Sequence, residues 1–167
     1  MNYNMKGRLT LGGSSIRGQP LPIAQCNGVA SKPSIITTIL GGVPTILAMN
    51  DIEFDTTSGM SPISGIWTCQ YSAHYNVSFF VNARKANTAT NSLKVEILMR
   101  TNPLNPWVVK ADAENYQAAR STNHDVCLTY SFYCKKGNQV AFRLDTSSLQ
   151  VRVYPERAGC SIHSLGK

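Results

Sequence analysis

The sequence predicts an all-β fold, an antiparallel sandwich of two sheets with about 8–10 strands. Three observations lead there. From Trp67 to Val81 the chain alternates without a break, with Trp67, Cys69, Tyr71, Ala73, Tyr75, Val77, Phe79 and Val81 on one side and Thr68, Gln70, Ser72, His74, Asn76, Ser78 and Phe80 between them. Successive side chains leave opposite faces of a sheet, so a period of two is what a half-buried strand needs. Further segments repeat the alternation with turn-forming residues between them. No window spaces its apolar residues at i, i+3, i+4 and i+7, and the best helical candidate, "VKADAENYQAAR", has only a weak apolar stripe.

Taken in order, residues 1–33 are rich in Gly, Pro, Ser and Asn, show no sustained period, and read as an extended basic arm; the jelly-roll domain is expected over 34–167. "SIITTIL" and "TILAM" are short β-branched runs separated by the turn Gly41-Gly42-Val43-Pro44, and "DIEFD" is another. After the long run, Leu93, Val95, Ile97 and Met99 oppose Lys94, Glu96 and Arg100, and "PWVVKAD" follows the turn-prone "TNPLNP". Then Val126, Leu128, Tyr130, Phe132 and Cys134 alternate with Cys127, Thr129, Ser131 and Tyr133 up to the turn Lys135-Lys136-Gly137-Asn138. Val140, Phe142 and Leu144, then Leu149, Val151 and Val153, then "CSIHSL" complete the set. One polar face on each strand means each sheet buries one side, as in a sandwich or jelly roll. The absence of a fixed repeat argues against propellers and solenoids.

A chain of 167 residues can bury a core of its own. Only 15% of residues are charged, against about 25% in an average domain, so Ser, Thr, Asn and Gln must carry the surface. The net charge is +7, and no Asp or Glu precedes Asp51, whereas Lys6, Arg8, Arg17 and Lys32 all do. These scattered cations fit a solvated arm that touches neighbouring subunits. Nucleic-acid contact would be confined to that arm, because the domain's aromatics follow the core face.

Five cysteines without regular spacing are not a disulfide framework. Cys69 and Cys134 fall on apolar faces and read as reduced, buried thiols, with one disulfide left open. The first residues lack the apolar core of a secretory leader, and "SIITTILGGVPTILAM" is broken by Gly41-Gly42 and Pro44 before reaching the length of a membrane span.

Little points to chemistry. His74, His124 and His163 lie on three segments, and the His124-x-x-Cys127 spacing has no second pair to complete a zinc set. No nucleophile elbow, phosphate loop or dinucleotide fingerprint occurs. Asp51, Glu53 and Asp55 would share one side of a strand, where they could hold a hard cation such as calcium or form a solvated edge. The edge is the expectation, and no catalytic residue, metal or cofactor is expected.

With the strands placed, "GMSPISGIWTCQY" resembles the Gly-x-x-x-Pro-x-x-Gly-x-aromatic signature of C1q-like domains in the C1q/tumour-necrosis-factor superfamily, through Gly59, Pro62, Gly65 and Trp67. "CLTYSFYCKKGNQVAFRL" is similar to that family's strand-turn-strand, with Phe132, Cys134, Gly137, Asn138 and Val140 at its positions and Asn in place of the usual Asp. "GCSIHSL" stands where the last strand would be, with Cys160 where Phe is common. The resemblance implies a ten-stranded jelly roll that forms a tight trimer and acts by binding or building, without catalysis. Its trimer face would carry Ile66, Thr68, Gln70 and Ser72 on one strand and Thr129, Ser131 and Tyr133 on another. These are more polar than the family's usual aliphatic and aromatic set.

Two functional readings fit. One is a structural subunit of a virus particle, such as a capsid, minor capsid or spike protein, probing its neighbours with the arm and located in the virion. The alternative is a secreted, extracellular C1q/TNF-like trimeric ligand or recognition module, which the missing collagen-like Gly-x-y run weakens. A β-barrel metal enzyme would need clustered His and carboxylate ligands that the sequence does not supply.

Overall fold

The computed structural model describes residues 10–11, 14–15, 28–85, 91–117 and 123–165. Among these, every regular element is a strand: β1 (Thr10–Leu11), β2 (Ser14–Ser15), β3 (Gly28–Lys32), β4 (Thr37–Leu40), β5 (Thr45–Leu47), β6 (Asp51–Asp55), β7 (Trp67–Thr68), β8 (Ala73–Lys85), β9 (Asn91–Arg100), β10 (Val108–Gln117), β11 (Asn123–Cys134), β12 (Gln139–Thr146) and β13 (Gln150–Ser164). Antiparallel pairing builds a six-stranded sheet in the order β11-β8-β13-β3-β6, with β4 also on β13, and a five-stranded sheet in the order β10-β9-β12-β5, with β7 also on β12. β1 and β2 pair only with each other. The chain is an all-β, two-sheet jelly roll.

Between the sheets lies one apolar core. Phe79 of β8 meets Phe142 of β12 with ring centroids 4.8 Å apart, and Trp67 of β7 stands edge-on to Tyr75 of β8 at 5.0 Å. Each pair joins the two sheets. Leu93, Val95 and Ile97 from β9 and Val151, Val153 and Ile162 from β13 are completely buried around them. Of "VKADAENYQAAR", the described residues 109–117 lie in strand β10 despite their helix-forming character, because β10 pairs with residues 91–99 of β9; a partner strand outweighs a weak intrinsic preference.

Four further differences from the sequence reading have physical causes. The long alternating run is two strands in two sheets. β7 pairs with β12, β8 pairs with β11 and β13, and the chain crosses between sheets at 69–72. The Cys69 N–H donates to the Asn138 carbonyl at 2.8 Å, and the Gly137 N–H donates to the Cys69 carbonyl at 2.8 Å, pinning the crossing to the β11–β12 turn. The phase survives because both sheets face one core, so Cys69 and Ala73 are both buried, and Tyr71, 55% exposed, marks the crossover.

Gly28–Lys32, assigned by sequence to the arm, is a strand hydrogen-bonded to β13 on one side and β6 on the other, so the sandwich begins before residue 34. Its weak β-forming composition hid it. The last two predicted strands are one, β13, with a break in register between Val153 and Ala158. Pro155 sits in that break, where a missing N–H interrupts no ladder. Finally, Leu149 is 80% exposed and Tyr130 43% exposed, because one lies in a turn and the other on an edge strand.

Buried His124 on β11 gives the fold a pH dependence. Its Nε2 lies 2.6 Å from Asn91 Oδ1. Burial, aided by the nearby Lys85 cation, pushes its pKa below the ordinary imidazole value, against opposing pulls from the Asn115 backbone and Asp125. The unfolded chain therefore binds a proton more readily than the folded one. Stability is expected to be full above the ordinary histidine pKa of about 6.5 and to fall as pH drops through it. Thermal melts between about pH 7.5 and pH 5, above the carboxylate range, should show that fall, and His124→Gln should flatten it.

Candidate interaction face

The family-like segment is a clamp on the core. Asp55 Oδ1 accepts hydrogen bonds from the Thr57 N–H at 2.8 Å and the Thr57 hydroxyl at 2.6 Å, and Asp55 Oδ2 accepts one from the Met60 N–H at 2.7 Å. Trp67 Nε1 donates to Thr57 Oγ1 at 3.2 Å, which ties the indole to the same loop. Burial works against the Asp55 charge, but the Thr57 hydroxyl and the backbone N–H groups of Met60, Thr57 and Gly59 hold its carboxyl below the usual range. Gly65 has φ 65° and lies against the Ala48–Met49 backbone. Gly59 and Pro62 belong to this loop, and Gly137 (φ 88°) forms the β11–β12 turn.

Asp55 is thus occupied within its own loop, and Lys32 Nζ bridges Asp51 Oδ2 at 3.7 Å and Glu53 Oε1 at 3.3 Å. The three carboxylates do not converge. The His124-x-x-Cys127 pair separates too, since residues three apart on a strand face opposite ways: His124 is fully buried and Cys127 exposed. Among the described residues, no group of three or more His, Cys, Asp and Glu could hold a metal.

The two outer faces differ in chemistry. On the five-stranded sheet, Glu96 is almost buried beneath Arg143, its hydrogen-bond partner, and Lys94, which reaches it at 3.1 Å and Asp112 at 3.4 Å. Burial disfavours the Glu96 charge, but the two cations outweigh it and keep its carboxyl below the usual range. Glu96, Lys94, Arg143 and Asp112 thus form a paired set of charges on that face, beside Asp145, one oxygen of which is buried without a hydrogen-bond partner.

The outer face of the six-stranded sheet is largely uncharged along its middle. Register aligns Tyr133 with His74; Ser131 with Asn76 and His163; Thr129 with Ser78, Ser161, Ala30 and Phe54; and Cys127 with Phe80 and Gly159. Ser78 Oγ and Thr129 Oγ1 are 3.0 Å apart, and Ser131 Oγ donates to Asn76 Oδ1 at 3.1 Å. Asn82 donates to Asp125 and accepts from Arg157 Nη1 at 3.2 Å. Phe80, 49% exposed, lies so close over Gly159 that a Cβ there would fall 2.7 Å from the ring. Its ring forms a ridge between a hollow of about 400 Å³ beside Lys32, Glu53 and Gly159 and one of about 230 Å³ beside Asp125 and Cys127.

The sequence-predicted interface set is divided between the sheets. Thr129, Ser131 and Tyr133 lie exposed on β11, and Ser72, whose Oγ accepts the Lys136 N–H at 2.9 Å, lies at the foot of β8. Thr68 belongs to the five-stranded sheet and accepts a bond from Gln139; Gln70 donates to the Thr68 carbonyl, and Ile66 leads into β7. Of the predicted arm contacts, Lys32 is part of β3, and Lys6, Arg8 and Arg17 lie outside the described residues. Phe54, Phe80 and His163 were missed. Phe80 was visible as the large apolar exception among the polar alternates, but neither its register with Gly159 nor the approach of Phe54 to His163 could be read locally.

The same architecture occurs in solved structures. Eiger TNF from S. frugiperda matches with TM-score 0.65 and 8% identity over 85% of this chain and 94% of that one. Murine APRIL matches with TM-score 0.66 and 9% identity, covering 84% and 100%. The fold is the C1q/TNF-like jelly roll. The globular domain of zebrafish complement 1qA matches it as well, with TM-score 0.60 and 13% identity over 84% of this chain and 98% of that one. No protein-family model matches the chain, and no curated protein matches it in sequence. Within this jelly roll, no helix among the described residues is long and apolar enough to cross a membrane.

Proposed function

We propose that this jelly roll is a non-catalytic assembly module that associates with copies of itself, as a trimer, through the outer face of the six-stranded sheet. The observation that carries this reading is the contrast between the two outer faces. One ties Glu96 to Lys94 and Arg143, while the other presents hydroxyls, amides and exposed rings, with Phe80 standing between two hollows. Hydroxyls and amides both donate and accept, so such a face can pair with a second copy of itself without matching charges. Phe80 is the natural anchor, because interfaces concentrate their energy in a few aromatic residues set against hollows. Service as a subunit of a larger particle, such as a virus shell, is supported by the low charged share of 15% and by the acid-free stretch before Asp51.

Native mass measurement tests both levels. The protein should run near three times 18.3 kDa or within a larger particle. Phe80→Asp should weaken association about 30-fold or more, the equivalent of losing an anchor of about 2 kcal/mol. Thr129→Arg, also on the exposed face, should act in the same direction. A monomeric wild type would overturn self-assembly. A free trimer that never enters a particle would overturn the shell role and leave a trimeric ligand.

A further inference from the structure

We propose that the end of the six-stranded sheet formed by β8 and β13 binds a tetrahedral oxyanion, a phosphate or sulfate group, between Arg84 and Arg152. The two arginines are directly opposite each other in the β8–β13 register, flanked in the same row by Asn123 on β11 and Thr38 on β4. Like charges at directly opposed positions destabilise a sheet. With Gln150, Tyr154 and the nearly buried Lys85 they line a hollow of about 330 Å³, and no acid is among its described lining residues.

The usual remedy for such repulsion is a carboxylate, and among the described residues no Asp or Glu lines this hollow. All nine Asp and Glu side chains of the chain fall among the described residues. Among the described residues, the ion pairs they make are with Lys32, Lys94 and Arg143. Asp125, two rows away, is hydrogen-bonded to Asn82. Both arginines are exposed, so their planar forks are free to turn toward a common guest. Guanidinium groups remain charged under all ordinary conditions and grip tetrahedral oxyanions with two parallel N–H donors. A guest held by both would replace repulsion with attraction on each side. The Gln150 amide and Tyr154 hydroxyl border the same hollow and can supply neutral donors. A hollow of this size admits the anionic group together with part of the molecule that bears it.

Titration calorimetry with inorganic phosphate, and separately with inorganic sulfate, tests the site at an ionic strength held constant with sodium chloride. Saturable binding is expected for the wild type, weakened at least tenfold in Arg84→Gln and in Arg152→Gln. Preference for one of the two anions identifies which group the site takes. In chloride alone, Arg152→Gln should melt no lower than the wild type, because it relieves a repulsion; in phosphate or sulfate, the wild type should gain a thermal increment that the variant lacks. The proposal is overturned by equal binding in wild type and variants, by a response that follows ionic strength whatever the anion, or by a loss of stability in Arg152→Gln in chloride alone.

Discussion

Gly65→Ala is expected to destabilise the protein by about 3 kcal/mol and lower its melting temperature by about 10 °C. Two costs add at this position. The backbone has φ 65°, where a side chain is strained. A Cβ would also fall 2.0 Å from the Met49 nitrogen and 2.6 Å from the Ala48 carbonyl carbon, and those are main-chain atoms that cannot rotate away. Relief would require moving Met49, which is completely buried. Gly137→Ala is the matched control: φ is 88°, but no atom lies within 4 Å of its Cβ position, so only the backbone strain remains, about 1 kcal/mol. Denaturant unfolding of both variants checks the difference. Equal losses would mean that the close approach to Ala48–Met49 contributes nothing.

Trp67→Ala should cost about 4 kcal/mol, because a buried indole leaves a cavity that the two sheets cannot collapse to fill. Only 1% of Trp67 is exposed; it packs edge-on against Tyr75 and donates to Thr57 Oγ1. Trp67→Phe keeps most of the packing and loses the N–H donor, so about 1–2 kcal/mol should go. The ratio of the two losses in equilibrium unfolding separates filling the core from holding the loop. If Phe proves as damaging as Ala, the hydrogen bond to Thr57 dominates at this position.

The sequence exposed much of the strand content, for a reason particular residues make clear. Trp67, Cys69, Ala73, Tyr75, Val77, Phe79 and Val81 announce a core face because burial in a sheet imposes a period of two. The same period concealed the crossing between sheets. A chain that passes from one face of a core to the opposing face keeps its phase, so only the exposure of Tyr71 and the ties to Gly137 and Asn138 reveal it. β3 was missed because "GVASK" carries little β preference of its own and is a strand by virtue of its neighbours β13 and β6. The candidate interaction face was half legible. Thr129, Ser131 and Tyr133 were readable from alternation on β11, whereas Phe80, Phe54 and His163 acquire meaning only through registers between strands far apart in the chain.

By itself, the sequence determined the fold class, most inward residues of the long strands (Tyr71, Tyr130 and Leu149 being exposed) and the turn at Gly137, since each follows from local alternation or a local backbone requirement. It also determined that no compact constellation of catalytic or metal-binding motifs is written along the chain. The tertiary structure alone decided which strands share a sheet, and with that which side chains meet. Thr68 and Thr129 fall on different sheets, Asp55 is drawn into its loop, and Arg84 is set opposite Arg152. Pairing between distant strands is fixed by the packing of the whole core, and the identity of the facing residue is not encoded near either partner.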